Sequence, residues 1–189
     1  MKNIAIFASG SGTNAEAIVR HFKDNAYGRV VCILSNKENA YVLERAEKLK
    51  VPAFTFNRDQ FYNSDYVIDL LKRHNVDFVV LAGFLWLVPE HLIREFPSAI
   101  VNIHPALLPG YGGKGMYGQK VHQAVISNKE KESGITIHFV NEKYDEGNII
   151  FQGKCEVKET DTPESLANRI HNLEHKYYPV IVEQLVKKL

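Results

Sequence analysis

The chain has 189 residues, 45% of them hydrophobic, and carries 23 Lys and Arg against 22 Asp and Glu. This length suits one domain with a substantial core, the near balance of charge leaves no footprint for nucleic acid or an anionic membrane, and no apolar run reaches the length of a membrane span. A strand-like run follows Met1 directly, so no secretory leader is expected, and the only two cysteines, Cys32 and Cys155, read as reduced thiols of a cytoplasmic protein.

Asn3 to Ala8 is a short apolar run of the kind that becomes a buried parallel strand. Ser9-Gly10-Ser11-Gly12-Thr13-Asn14 follows, and a helical pattern begins at Ala15. Glycines at a strand-to-helix turn let backbone N–H groups approach an anion, and the helix dipole adds to the attraction. Gly10, Gly12 and Ala15 fit a loose dinucleotide fingerprint, but that pattern also wants a carboxylate at the end of the second strand. Arg29 to Leu34 ends in Ser35-Asn36-Lys37 instead, which favours a bound phosphate over NAD; a purely structural turn is the competing reading.

Tyr41 to Lys50 has helical spacing, Ala53 to Phe56 is a short strand, and Tyr62 to His74 reads as a single amphipathic helix. Asp77 to Ala82 is the most strand-like run in the chain. Phe84 to Val88 is ambiguous: Trp86, the only tryptophan, suits either the core or an apolar pocket wall. Pro89 is expected to start a helix running to about Phe96. Strands and helices alternating at this spacing imply a Rossmann-like α/β domain, mostly parallel, with helices on both faces.

Ile100 to His104 delivers Asn102 and His104 two positions apart on a strand that Pro105 ends at once. Residues at i and i+2 share a face, so a carboxamide and an imidazole emerge together at the carboxyl end, where open α/β sheets place their ligand crevices. An amide donor beside a titratable ring can hold an oxygen that acquires charge while protons move, although such a pair also occurs where polar side chains merely satisfy a turn. Gly110 to Gly118 holds five of the twelve glycines and suits a mobile lid or a solvated connector. A short helix over Val121 to Ile126 is expected next, then an antiparallel strand pair, Gly134 to Val140 and Ile149 onward. His138 reads as a structural histidine, and Asp145, in the loop between those strands, is placed to meet His104. Asp161-Thr162-Pro163-Glu164 starts a helix bearing a polar stripe of His171, Glu174, His175 and Tyr178, which Pro179 is expected to kink or interrupt. His171 to His175 also matches H-x-x-E-H, a zinc-peptidase pattern, but a third ligand must come from elsewhere, only Glu183 remains among downstream carboxylates, and the helical framework of such a site is lacking.

With Ser9 to Asn14, Leu81 to Phe84, Asn102 to Pro109, Gly134 to Val140 and Asp145 before Gly147 all in order, the chain resembles the phosphoribosylglycinamide formyltransferases (glycinamide ribonucleotide transformylases) of the folate-dependent formyltransferase family. The resemblance spans almost the whole chain. It implies transfer of a formyl group from 10-formyltetrahydrofolate, the co-substrate, to the amine of glycinamide ribonucleotide in de novo purine biosynthesis. It implies no metal, no nucleic-acid or membrane partner, and a monomer or homodimer. Residue by residue, it makes Asn102, His104 and Asp145 the catalytic trio. Gly12, Thr13 and Asn14 become the phosphate site, and Glu174 a carboxylate near the substrate amine. Leu85, Trp86, Leu87 and Val88, with Asn102 and the loop from Asn141, correspond to the folate pocket, and a folate-binding arginine falls near Arg58. One domain, 1–189, would hold the phosphate in its first half (about 1–100) and the folate and chemistry in its second (about 78–189). Asp145 is expected to raise the His104 pKa so that a cationic ring donates to the formyl oxygen. The glycine-rich loop is longer than in the best-known members, and the chain ends soon after its last helix where some relatives carry a tail. A methionyl-tRNA formyltransferase, a formyltetrahydrofolate deformylase and a non-catalytic nucleotide-binding module are the competing functions; the first two use further domains.

Overall fold

A computed structural model describes residues 1–189. The strands are β1 (Lys2–Phe7), β2 (Gly28–Ser35), β3 (Ala53–Thr55), β4 (Phe78–Leu81), β5 (Ile100–His104), β6 (Glu132–Phe139) and β7 (Ile149–Glu156). They form one sheet in the order β3-β2-β1-β4-β5-β6-β7. The first five are parallel, and β6 and β7 add on antiparallel. Central β1 and β4 are buried along nearly their whole lengths, which is why both read as continuous apolar runs rather than alternating ones. Forty-three buried side chains make one continuous core, so the sheet is not divided between two hydrophobic centres.

The chain winds outward from β1 to β3, then returns to lay β4 on the other side of β1. This reversal opens a crevice at the carboxyl ends of β1 and β4. Around the sheet lie α1 (Thr13–His21), α2 (Tyr41–Leu49), α3 (Arg58–Tyr62), α4 (Tyr66–Arg73), α5 (Glu90–Glu95), α6 (Gln119–Ser127) and α7 (Pro163–Val186). The helix expected over Tyr62 to His74 is α4, starting at Tyr66, and a separate short helix, α3, precedes it. Asn57 and Gln60 close a capping box on α3, and Ser64 then donates to the Gln60 carbonyl while accepting from the Tyr66 N–H. Side chains that bond the local backbone in this way compete with helix propagation, and the break falls there.

Thr162 caps α7 with Ser165 as its reciprocal partner and Pro163 in the first turn. The helix then runs unbroken through Pro179 for 24 residues, contrary to the interruption expected there. Proline removes one helical hydrogen bond, but Tyr178, Pro179, Ile181 and Val182 are all buried, and tertiary packing holds the helix across the gap. α7 packs on α1, α6 and β6, bringing the end of the chain back over its beginning.

Candidate active site

A cleft of about 640 Å³ lies at the topological reversal, within the range of small-molecule sites. Its floor comes from the carboxyl ends of three strands: Ser9–Asn14 after β1, Leu81–Val88 after β4, and Asn102–Pro105 at β5.

The glycine loop forms one end. Gly12 sits at φ +75° as the N-cap of α1, and a Cβ there would lie 2.6 Å from Val42 Cβ, so only glycine fits. Asn14, buried in the first turn, donates to Glu174 Oε2 at 2.8 Å while its own Oδ1 has no partner. Burial pushes the Glu174 carboxyl up, against the Asn14 hydrogen bond and the neighbouring His171. The α7 stripe divides: Glu174 and Tyr178 are buried, whereas His171 and His175 are exposed. Glu174 points inward, and Tyr178 donates its hydroxyl to Leu81 O at 2.9 Å with Val101 O 3.3 Å away, bridging β4 and β5. The His171 and His175 rings lie nearly parallel, 6.5 Å apart, and no third His, Cys or carboxylate joins them in a metal-binding group.

At the other end, register assembles a cluster of titratable side chains. Asn102 of β5 lies directly opposite His138 of β6. His138 gives Nδ1–H to Phe139 O (2.8 Å), and its Nε2 accepts from Asn102 Nδ2 (3.2 Å). Asn102 Nδ2 also reaches Asp145 Oδ1, at 3.5 Å. His104 Nδ1 lies 3.5 Å from Asp145 Oδ2, and His104 Nε2 donates to Tyr111 O at 2.7 Å. Asp145 adopts φ +57° in a loop made possible by Gly147, where any Cβ would collide with the Phe139 carbonyl oxygen. The turn after His104 is pinned from β6: Thr136 donates to Ala106 O and accepts from Leu108 N–H.

Burial lowers the His104 pKa, and His138 adds to the effect, outweighing Asp145 and the Tyr111 carbonyl. This reverses the expected rise: Asp145 does favour the cation, but the ring is 4% exposed and desolvation is the larger influence. For Asp145 burial acts upward, yet His138, the His104 charge and the Gly113 N–H (2.9 Å from Oδ2) together hold the carboxyl below the ordinary range. His138 thus borders the cluster, with both ring nitrogens satisfied as a structural histidine's would be. His122 of α6 also lines the cleft, with Nδ1 unpartnered and its pKa pushed down to about 4 by burial, with His171 and His104 adding to it. Its only sequence signal is a histidine among the buried positions of a helix, beside Val121 and Val125.

The wall between these ends is Leu85, Trp86, Leu87 and Val88, with Val140 facing from after β6. Ser9 Oγ accepts from the Leu85 N–H (3.1 Å) and couples the wall to the loop after β1. Trp86 lines the cleft but also packs against Phe56, Phe61, Tyr62 and Phe84, so both readings of it hold. Arg58 lies outside the cleft lining, its guanidinium 5.0 Å from the Tyr62 ring centre and 5.7 Å from that of Trp86. Asn141 is also outside the lining; its Oδ1 accepts from Lys143 N–H and closes its own turn. A carboxylate, imidazoles and an amide gathered between an N–H-rich loop and an apolar wall can polarise a carbonyl and move a proton.

Comparison with known proteins gives the same picture. Phosphoribosylglycinamide formyltransferase of Bacillus subtilis is 39% identical over 98% of the chain and 95% of its own length. The chloroplastic enzyme of that name from Arabidopsis thaliana is 44% identical over 96% of the chain, which spans 64% of that relative's length. The crystal structure of glycinamide ribonucleotide transformylase 1 from Symbiobacterium toebii superposes with a TM-score of 0.90 at 35% identity, covering all of the chain and 89% of that one. Residues 2–182 match the family described as formyl transferase, and the chain belongs to it.

Proposed function

We propose that this chain transfers the formyl group of 10-formyltetrahydrofolate to the amine of glycinamide ribonucleotide, in the cytoplasm, as a monomer or homodimer and without a metal. The observation that carries the proposal is the cluster of Asn102, His104 and Asp145 in one cleft, between a loop of free N–H groups and an apolar wall. In this assignment Gly12, Thr13 and Asn14 hold the ribonucleotide phosphate through their backbone, and Glu174, steadied by Asn14, faces the amine. The folate ring lies along Leu85 to Val88 beside Asn102, all of which line the cleft, whereas Asn141 and Arg58 lie outside its lining.

In the transfer, the amine nitrogen bonds to the formyl carbon and the bond from that carbon to the folate nitrogen breaks. One proton leaves the amine and one reaches the folate nitrogen. Asn102 donates to the formyl oxygen as charge develops there; its long contact to Asp145 is the one that yields. The lowered pKa of His104 supports a neutral resting ring, with Nε2–H on Tyr111 O and the Nδ1 lone pair beside Asp145. Nδ1 takes the amine proton, directly or through a water, while Asp145 stabilises the imidazolium; the same proton then goes to the folate nitrogen.

Mixing the protein with both substrates and following loss of the formylfolate tests this. Turnover that requires the ribonucleotide is expected. Loss of the formyl group without it means a deformylase, and no loss at all leaves only a nucleotide-binding module.

A further inference from the structure

We infer that Arg45 of α2 is a positioning residue for the phosphate loop, aiming its N–H groups into the cleft without itself touching the substrate; this rests on the phosphate site proposed above. Two consecutive carbonyls of the loop are fastened to α2. Val42 N–H donates to Gly10 O at 3.1 Å, and Arg45 Nε donates to Ser11 O at 2.7 Å. In a planar trans peptide the C=O and the following N–H point in opposite directions. Holding Gly10 O and Ser11 O against α2 therefore turns the N–H groups of Ser11 and Gly12 away from α2, on the side where Ser9 to Asn14 line the cleft. None of the backbone N–H groups from Gly10 to Ala15 donates to an acceptor within the chain. The buried Asn14 Oδ1 at the same turn is likewise unpartnered.

The other edge of the Arg45 guanidinium pairs with Glu16 in the first turn of α1, and Arg20 grips the same carboxylate through Nε and a terminal nitrogen. One planar fork thus spans the loop and the helix that follows it, bracing the Gly12 turn between them. The Tyr41 ring flanks the guanidinium at 5.0 Å from its centre. A lysine ammonium carries the same charge but lacks the fixed fork that serves Ser11 O and Glu16 together.

The test uses Arg45→Met and Arg45→Lys, with KM for each substrate, kcat, thermal unfolding, and inhibition by inorganic phosphate competing with the ribonucleotide. In Arg45→Met the ribonucleotide KM and the phosphate inhibition constant should rise together by about tenfold, with kcat and the folate KM within about twofold. Arg45→Lys should recover only a small part of that loss. Full recovery by lysine would assign the effect to charge and overturn the positioning role, as would unchanged ribonucleotide KM in Arg45→Met or a parallel fall in every parameter with lowered thermal stability. If Arg45→Met does not fold, Glu16→Gln keeps the bond to Ser11 O and loses the ion pair; it should raise the ribonucleotide KM by about threefold, and no change would overturn the inference. Wild-type enzyme that inorganic phosphate does not inhibit competitively would instead remove the phosphate site itself.

Discussion

The two ends of the cleft solve opposite problems. At the glycine loop the donors are backbone N–H groups, fixed by the φ of Gly12 and the close approach of Val42. At the Asn102 cluster nearly every polar atom is already engaged: Asn102 with His138 and Asp145, His104 with Tyr111 and Asp145, Asp145 with Gly113. Under the proposed function the first end is preset for an anion, whereas the second exchanges its internal contacts for contacts to substrate. Binding energy therefore belongs mainly to one end and barrier lowering to the other, so substitutions should separate KM from kcat.

The largest effect is expected at the exchanging end. Removing one donor to a developing oxyanion typically costs about 10²–10³ in kcat. Asn102→Ala should lose at least that much, and His104→Ala and Asp145→Ala about 10²–10⁴, the usual worth of a positioned general base, while the ribonucleotide KM changes little. The double variant of His104 and Asp145 should be far less than multiplicative, because the carboxylate acts through the imidazolium. Steady-state kinetics checks this; independent, multiplicative losses would break the contrast between the two ends.

Next in size is Gly12→Ala. A left-handed φ and the nearness of Val42 together cost about 1–3 kcal/mol. The ribonucleotide KM should rise about tenfold or more, tenfold corresponding to about 1.4 kcal/mol, with the folate KM nearly unchanged. Equal loss of both affinities would mean that the loop supports the whole cleft rather than one ligand.

The two ends also differ in how far the sequence reveals them. The Ser9–Asn14 loop is local: strand, glycines and helix are contiguous, so its geometry is readable from six letters. The strand end bearing Asn102 and His104 is local too, and the i, i+2 rule places both on one face. His138 is not local. Its role follows from the β5–β6 register, which brings it opposite Asn102 across 36 residues, and no pattern within its own strand distinguishes it from a core histidine. The His104 pKa departs from the expected rise for a related reason. A neighbouring carboxylate is visible in the sequence, whereas the depth of burial that outweighs it depends on Tyr111 and the loop folding over the ring. α7 likewise continues through Pro179 because of what packs against it.

A smaller effect should appear in stability. Glu174 belongs to the preset end yet is titratable, and burial raises its pKa. The folded chain thus holds that proton more tightly than the unfolded one. The resulting stability is complete below the unfolded value, about 4.3, and is lost as pH rises through the raised folded value. Glu174→Gln removes the buried charge, and its amide oxygen can still accept from Asn14. Its Tm should match wild type near pH 4 and exceed it by an amount that grows toward pH 8, while its ribonucleotide KM worsens. A Tm difference independent of pH would show that Glu174 is not carrying a desolvated charge.

The smallest expected signal sharpens the comparison from the wall between the two ends. Trp86 is the single tryptophan, so the protein's indole emission comes from one place. Its ring is held by Phe56, Phe61, Tyr62 and Phe84 at centroid distances of 5.8 to 6.4 Å, and it is half-buried where it meets the cleft. An antifolate lying along Leu85 to Val88 displaces water from that exposed portion without disturbing the aromatic packing behind it. The emission should shift modestly to the blue or quench, saturating with the antifolate. Inorganic phosphate, bound at the far end, should leave it unchanged. A response to phosphate as large as that to antifolate would mean that the loop and the wall move together, through the Ser9 bond to Leu85, and that the ends are not independent. No response to saturating antifolate would assign Trp86 to the core alone and move the folate off this wall.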